Sequence, residues 1–352
     1  MYDHAMQRRR AGIIGASGYT GVELLRLCAQ HPDLEVVYAT GDTQAGTLAA
    51  SLYPSLSAAY PRLVFESFDI ERAAGLDVVF LGLPHEASMA LAPQLVGRVG
   101  CVVDLSAAYR LRDASLYPRW YGFTHDQPEQ LAAAAFGLPE LFREQLLGAS
   151  LIATPGCHVT AASLALEPLV RNGLIRHDGI IVDSKTGISG AGRALKHGSL
   201  FCSADEDLQA YGLLDHRHTP EIEQVISTSL GDERCSVLFT PHLAPLNRAI
   251  LATCYSRPAG PVSTSALLDA MTEAYRDEPF VVVSEASPST KACLGTNTAF
   301  VTARYDERTD TVLTICAIDN LCKGASGGAM QAANVAMGLD ETAGLQRVGL
   351  YP

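Results

Sequence analysis

Along residues 11–155, short unbroken apolar runs alternate with segments whose apolar side chains recur at helical spacing. Ala11 to Gly15, Leu34 to Thr40, Asp77 to Leu83 and Cys101 to Leu105 are runs of the first kind, the pattern of strands buried on both faces. Gly18 to His31 and Glu86 to Val96 read as helices, the first with Val22, Leu24, Leu25 and Leu27 on its apolar side. Strand, helix, strand in succession calls for right-handed crossovers and a parallel, doubly wound sheet. Beyond residue 155 the rhythm changes. Strand candidates fall at 180–183, 235–240, 249–255, 280–284, 298–305 and 311–318, with helices near 159–171, 220–230 and 263–277. Asp306 to Asp310 joins the last two strands as an antiparallel hairpin. The expected fold class is α/β: a doubly wound parallel Rossmann-type sheet with a second α+β domain built on a largely antiparallel sheet. Residues 11–155 are expected to form a dinucleotide-binding domain, completed by a helix near 324–337 and the tail 320–352. Residues 156–319 are expected to carry catalysis, substrate binding and oligomerisation.

Composition narrows the partners. A chain of 352 residues, 48% of them hydrophobic, has room for about two cores. Its formal charge of −12 gives no basic field to attract a nucleic acid backbone. No apolar run of about 18 residues occurs, so no membrane span is expected. Met1 to Arg10 lacks the apolar stretch and cleavage site of a signal peptide and reads as a disordered extension. The nine cysteines are odd in number, irregularly spaced and without a Cys-x-x-Cys pair. That argues against a disulfide framework or metal site and for a reducing, cytoplasmic setting.

Gly15-Ala16-Ser17-Gly18-Tyr19-Thr20-Gly21 lies between the first strand and the first helix. Missing side chains there let a backbone approach a pyrophosphate, and the helix N-terminus offers free N–H groups. Gly18 and Gly21 match the last two glycines of the usual fingerprint, while Ala16 holds the first position. After the second strand comes Thr40-Gly41-Asp42. An acidic residue there bonds a ribose hydroxyl and favours NAD over NADP, unless Asp42 is only a solvated turn residue.

Pro155-Gly156-Cys157 places a thiol at the first turn of a helix, where the dipole favours a thiolate. A thiolate attacks an activated carbonyl and leaves readily from the thioester. Buried packing is the competing reading for any cysteine. Asp215-His216-Arg217-His218-Thr219-Pro220-Glu221 offers two imidazoles before a helix expected to be capped by Thr219. Two residues apart in extended chain, they would face one cavity and serve as acid–base partners. His158, His197 and His242 rank below them.

These residues stand in a series. The glycine loop is followed by Leu105-Ser106-Ala107-Ala108-Tyr109-Arg110, Gly137-Leu138-Pro139-Glu140, Pro155-Gly156-Cys157 and Ser189-Gly190-Ala191-Gly192-Arg193. Then come His216 to Glu221, Thr240-Pro241-His242-Leu243-Ala244-Pro245 and Asp319-Asn320-Leu321-Cys322-Lys323-Gly324. The series resembles the N-acetyl-γ-glutamyl-phosphate reductase family, relatives of aspartate-semialdehyde dehydrogenase. The resemblance implies reductive dephosphorylation of N-acetyl-γ-glutamyl phosphate with NADP(H), in arginine biosynthesis, by a homo-oligomer (dimer or tetramer). It implies Cys157 as nucleophile with His216 or His218 as acid–base group, and Arg110, Arg193 and Glu221 as substrate ligands. Arg110 would meet the leaving phosphate. The cofactor contacts it implies are Gly15, Ser17, Gly18, Tyr19, Thr20, Gly21, Thr40, Asp42, Leu83, Pro84, Ser106, Ser189, Gly190, Gly192 and Asn320, the last near the nicotinamide. Arg193 and Lys323 read equally as structural cations, and Glu221 as a complement to its helix dipole. Asp42 and His158 depart from the residues more usual in the family. A carrier-linked acyl phosphate is the neighbouring alternative substrate; a noncatalytic nucleotide sensor would leave the thiol and histidines unexplained.

Overall fold

A computed structural model describes residues 8–231 and 233–351 and divides the chain into two compact units. Of the expected extension Met1 to Arg10, residues 1–7 lie outside the described residues, whereas Arg9 and Arg10 open the first strand and are paired with Leu34 and Glu35. The first unit comprises residues through Tyr117, Phe123–Pro155 and Ala325–Leu345. Its six-stranded sheet is parallel throughout: β1 (Arg9–Ile14), β2 (Leu34–Ala39), β3 (Val78–Leu81), β4 (Cys101–Asp104), β5 (Ala135–Phe136) and β6 (Leu151–Ala153). The spatial order is β2-β1-β3-β4-β6-β5, so the chain reverses direction across the sheet between β1 and β3. In open parallel sheets the crevice at such a switch point receives ligands. β3 and β4 are buried along their whole length, which is why they read as unbroken apolar runs.

The helix Gly327–Ala336 packs against helix Tyr19–Cys28 and β4 within this unit. Its Asn334 Oδ1 accepts from His31 Nε2 at 3.0 Å, His31 Nδ1 being the acceptor of Asp33 N, and its Gln331 donates to Glu140 and Glu341. The tail differs from expectation. Residues 320–324 and 346–352 belong to the second unit, where Asn297 N and Thr298 Oγ1 donate to the carbonyls of Gln346 and Arg347.

The second unit, Pro118–Gly122, Gly156–Gly324 and Gln346–Pro352, holds a seven-stranded mixed sheet. Its strands are β7 (Ile180–Gly187), β8 (Gln209–Ala210), β9 (Val237–Ala244), β10 (Ile250–Ser256), β11 (Val281–Val283), β12 (Ala299–Asp306) and β13 (Thr311–Ile318). The order is β11-β12-β13-β10-β7-β9-β8, with β7–β9 and β11–β12 parallel and the other pairs antiparallel. β12 and β13 form the expected hairpin, its turn tied by Thr309 Oγ1 donating to Asp306. The helix Cys157–Arg171 is buried from His158 to Val170 and lies against β10, β12 and β13. Alanines and leucines at Ala161, Leu164, Ala165 and Leu169 make that burial favourable, so the helix start is rigidly placed. No helix among the described residues is long and apolar enough to cross a membrane.

Candidate active site

Within the second unit, Cys157 is the first residue of its helix, after Gly156 in extended conformation. The thiol is half-buried and faces a cavity of about 250 Å³. His158, Thr186, Gly190, Ala191, Lys196, Tyr211, His216, Arg217, His218 and Leu243 complete the lining. One ring nitrogen each of His158 and His218 and the Cys157 Sγ lie within 4.8 Å of one another. The rings of His216 and His218 are 4.7 Å apart between centroids.

The local path of the histidines differs from the extended strand expected. The helix begins at His218, with Arg217 as its cap residue, and Pro220 sits inside the first turn, where an N–H has no helical partner to lose. Thr219 is therefore not the cap. The imidazoles meet because the His218 backbone N–H donates to His216 Nδ1 at 3.1 Å. That bond leaves the proton of neutral His216 on Nε2. Burial, with Arg217 adding to it, pushes His216 down to about 4, so the neutral ring prevails at pH 7. His158 is pushed down to about 3 by burial and by His216; its Nδ1 lies 2.7 Å from Ser184 Oγ and its Nε2 lies 3.2 Å from the Tyr211 hydroxyl. Burial and the Cys157 sulfur push the Tyr211 hydroxyl upward, which keeps it protonated as a donor.

Gly156 explains how close the thiol and His218 come. A Cβ on Gly156 would lie 2.2 Å from His218 Nε2. Glu221 holds this turn from behind: Oε2 accepts from Gly156 N at 3.1 Å and Oε1 from the Tyr121 hydroxyl at 2.5 Å. Glu221 is 0% exposed, and its carboxylate anchors the nucleophile's turn through these bonds.

Ser189 and Gly190 lie in a short turn, Ile188–Ala191, next to the same cavity. Asn320 fixes it: Nδ2 donates to Ser189 Oγ at 3.0 Å, and Oδ1 accepts from Ala249 N at 2.7 Å. Asn320 is buried, so its amide shapes the turn. Gly192 and Arg193 are exposed and are not part of the cavity lining, whereas Lys196, four residues from Gly192, is. Lys323 is buried with its ammonium 5.9 Å from the Phe280 ring centroid, a structural placement.

In the first unit, the glycine loop sits at the β1–β3 switch point, half-exposed from Ser17 to Thr20. Gly15 has φ +90, and a Cβ there would lie 2.4 Å from Gly82 O; one on Gly21 would lie 2.4 Å from Ala16 Cα. Gly18, the cap residue of helix Tyr19–Cys28, carries no side-chain cap, and the first turn has no acidic residue. The free N–H groups and open backbone fit the pyrophosphate of a dinucleotide. Thr40 and Ser17 build the loop: Gly15 N donates to Thr40 Oγ1 at 3.0 Å, and Ser17 Oγ donates to Gly41 O at 3.2 Å. Tyr19 and Thr20 open the helix, and Leu83 and Pro84 follow β3 at the same sheet edge. Asp42 is exposed with φ +45 just past β2, where a ribose carboxylate partner would stand. Ser106 is buried and committed to its own loop, donating to Asp104 at 2.7 Å and accepting from Ala108 N at 3.0 Å. Arg110 is also largely committed in this unit, donating to Thr154 O at 2.6 Å and Leu105 O at 2.9 Å.

Tyr211, Thr186 and Lys196 were not singled out from the sequence, and Arg217 only as part of its motif. None sits at a spacing that marks it; each reaches the cavity through the fold of β7, β9 and the 190s loop. His197 and His242, ranked lower, do not line the cavity.

Comparisons with known proteins match both units. Residues 10–149 match the semialdehyde dehydrogenase NAD binding domain, and residues 157–320 the semialdehyde dehydrogenase dimerisation domain. The chain is 46% identical over 347 residues to N-acetyl-gamma-glutamyl-phosphate reductase of Symbiobacterium thermophilum, covering 97% of this chain and 99% of that one. It is 44% identical to the protein of that name from Geobacter sulfurreducens, with the same coverage. Among solved structures, aspartate semialdehyde dehydrogenase II from Vibrio cholerae, complexed with ASA, gives a TM-score of 0.70 at 15% identity, covering 94% of this chain and 98% of that one. Aspartate semialdehyde dehydrogenase with NADP from Candida albicans gives 0.66 at 16%, covering 94% and 98%.

Proposed function

The chain belongs to the N-acetyl-γ-glutamyl-phosphate reductase family, and from that premise we propose that it converts N-acetyl-γ-glutamyl phosphate to N-acetylglutamate semialdehyde and phosphate, with NADPH as reductant. The observation that carries the reading is Cys157 at a buried helix's start, open to a cavity it shares with three imidazoles, those of His158, His216 and His218. The Cys157 thiolate attacks the acyl carbon, the carbon–oxygen bond to phosphate breaks, and phosphate leaves with the electron pair. The resulting thioester keeps the carbon electrophilic. The Gly15–Gly21 loop would hold NADPH by its pyrophosphate, and the hydride it would supply reduces the thioester to the level of a thiohemiacetal oxyanion. His218, its nitrogen within 4.8 Å of Sγ, is the acid–base group: it gives a proton to the oxyanion left by hydride addition and takes that proton back as the carbon–sulfur bond breaks and the aldehyde departs. His216, neutral with its proton on Nε2, is a hydrogen-bond donor to the oxyanion. Arg110 is assigned the leaving phosphate, an assignment that rests on the family resemblance.

NADP(H) rests on the resemblance too, against the negative charge of Asp42, and a cytoplasmic location on cysteine usage. A homo-oligomer is supported by three exposed apolar neighbours on the open face of the second sheet. Ile181 pairs with both Leu238 and Tyr255, and the three are 41%, 48% and 40% exposed. The reverse assay tests the whole reading: semialdehyde plus phosphate, with NADP or NAD, before and after alkylation. Phosphate-dependent reduction of NADP, lost on alkylation, is expected. Phosphate-independent oxidation that survives alkylation would reject it.

A further inference from the structure

The side chains around the nucleophile have a second chemistry. Thiolate sulfur and imidazole nitrogen are the donors that borderline-soft divalent cations select, in sets of three or four. Cys157 Sγ and one nitrogen each of His158 and His218 already lie within 4.8 Å of one another. Tetrahedral bonds of ~2.0–2.3 Å place donors roughly 3.5 Å apart, so side-chain rotations of about an ångström close the set. All three donors are fixed by the starts of two helices, Cys157–Arg171 and His218–Ser227.

The surroundings supply what a ligating imidazole needs on its far side. Ser184 Oγ, 2.7 Å from His158 Nδ1, accepts its N–H in the tautomer that leaves a lone pair on Nε2. The Tyr211 hydroxyl, 3.2 Å away, then holds that lone pair and is the group a cation displaces. The cavity gives entry and room for water or His216 as fourth ligand. Lys196 and Arg217, exposed on the cavity's lining, oppose a cation and keep its occupancy reversible.

We propose that Cys157, His158 and His218 form an inhibitory binding site for a divalent cation of the zinc class, which caps the nucleophile reversibly. The cation takes the sulfur lone pair that would attack the substrate; no bond is oxidised or reduced. His158, which the reductase reading leaves without a chemical part, is the residue that completes the ligand set.

Cobalt titration tests this without substrate, so its failure is distinct from failure of the reductase reading. The protein carries Cys202→Ser, because Cys202 is the exposed cysteine among those described. One equivalent of Co²⁺ should give a thiolate charge-transfer band that Zn²⁺ displaces. The band should vanish in Cys157→Ser, and affinity should fall at least tenfold in both His158→Asn and His218→Asn. The second histidine variant keeps the test decisive if the buried His158 change unfolds the chain. EDTA should reverse zinc inhibition of the unsubstituted protein. A band that persists in Cys157→Ser, or an affinity unchanged in the histidine variants, overturns the site.

Discussion

Gly156→Ala tests how closely His218 is set against the nucleophile's turn. The backbone does not object, since φ −65 and ψ 148 suit alanine. The lost glycine freedom would even stabilise the fold by ~0.4–1 kcal/mol. The obstacle is the imidazole, whose Nε2, Cδ2 and Cε1 would lie 2.2, 2.6 and 2.7 Å from the new methyl. Ordinary contact begins near 3.4 Å, so the ring or the turn must give by about 1.2 Å. A misplacement of about 1 Å at a reacting group costs roughly 100-fold in rate. The expected result is a fall in kcat of that order in the reverse assay, with KM for semialdehyde little changed. A double-mutant cycle isolates the cause: in a His218→Ala background, itself slower by ~10²–10⁴-fold, Gly156→Ala should cost less than about threefold. A folded Gly156→Ala protein with undiminished kcat would refute the placement of His218.

Further expectations concern each unit's framework. Gly21→Ala sets a methyl 2.4 Å from Ala16 Cα and 2.5 Å from Gly15 O, backbone that cannot yield, and should raise the nicotinamide KM at least about tenfold while Cys157 alkylation proceeds normally. Glu221→Gln replaces the acceptor pair holding Gly156 and Tyr121 and should cost about 1.5–3 kcal/mol in urea unfolding; an unchanged midpoint would remove the anchoring role. Burial holds His31 below the ordinary imidazole range, with Asp33, Arg8 and its partner Asn334 facing it. The unfolded chain therefore takes up the proton first, and stability falls as pH drops below ~6.5, by at most ~1.4 kcal/mol per unit. His31→Gln should accordingly destabilise the protein more at pH ~7.5 than at ~5.5; an equal cost at both would contradict this.

Much of the first unit was legible because its strands are buried on both faces and leave unbroken apolar runs between helices. β5 and β6 were not, being two and three residues long. In the second unit β7 and β9 run four residues further than read, through Lys185 and Pro241-His242, because one face of the sheet is open and tolerates polar side chains. Cys157 was legible from Pro155-Gly156 at a helix start. The way the histidines meet was not, since it depends on a backbone bond from His218 to His216 and on a missing Cβ at Gly156. The bonding of Glu221 was not legible for a related reason: a carboxylate in a first helical turn reads alike whether it faces substrate, complements the dipole or accepts from a buried N–H, as from Gly156 here. The polar atoms of Ser106, Thr40 and Asn320 are bonded to other protein groups: Ser106 to Asp104 in its own loop, Thr40 to Gly15 N, and Asn320 to Ala249 N and Ser189 Oγ, partners that residue spacing does not reveal.

The central claim is a covalent bond between substrate and one sulfur. Semialdehyde and NADP, mixed with the protein in the absence of phosphate, should yield about one NADPH per chain and an N-acetylglutamyl adduct on the peptide containing Cys157, with turnover resuming when phosphate is added. Steady turnover without phosphate and without an adduct, or an adduct on another residue, would contradict the account.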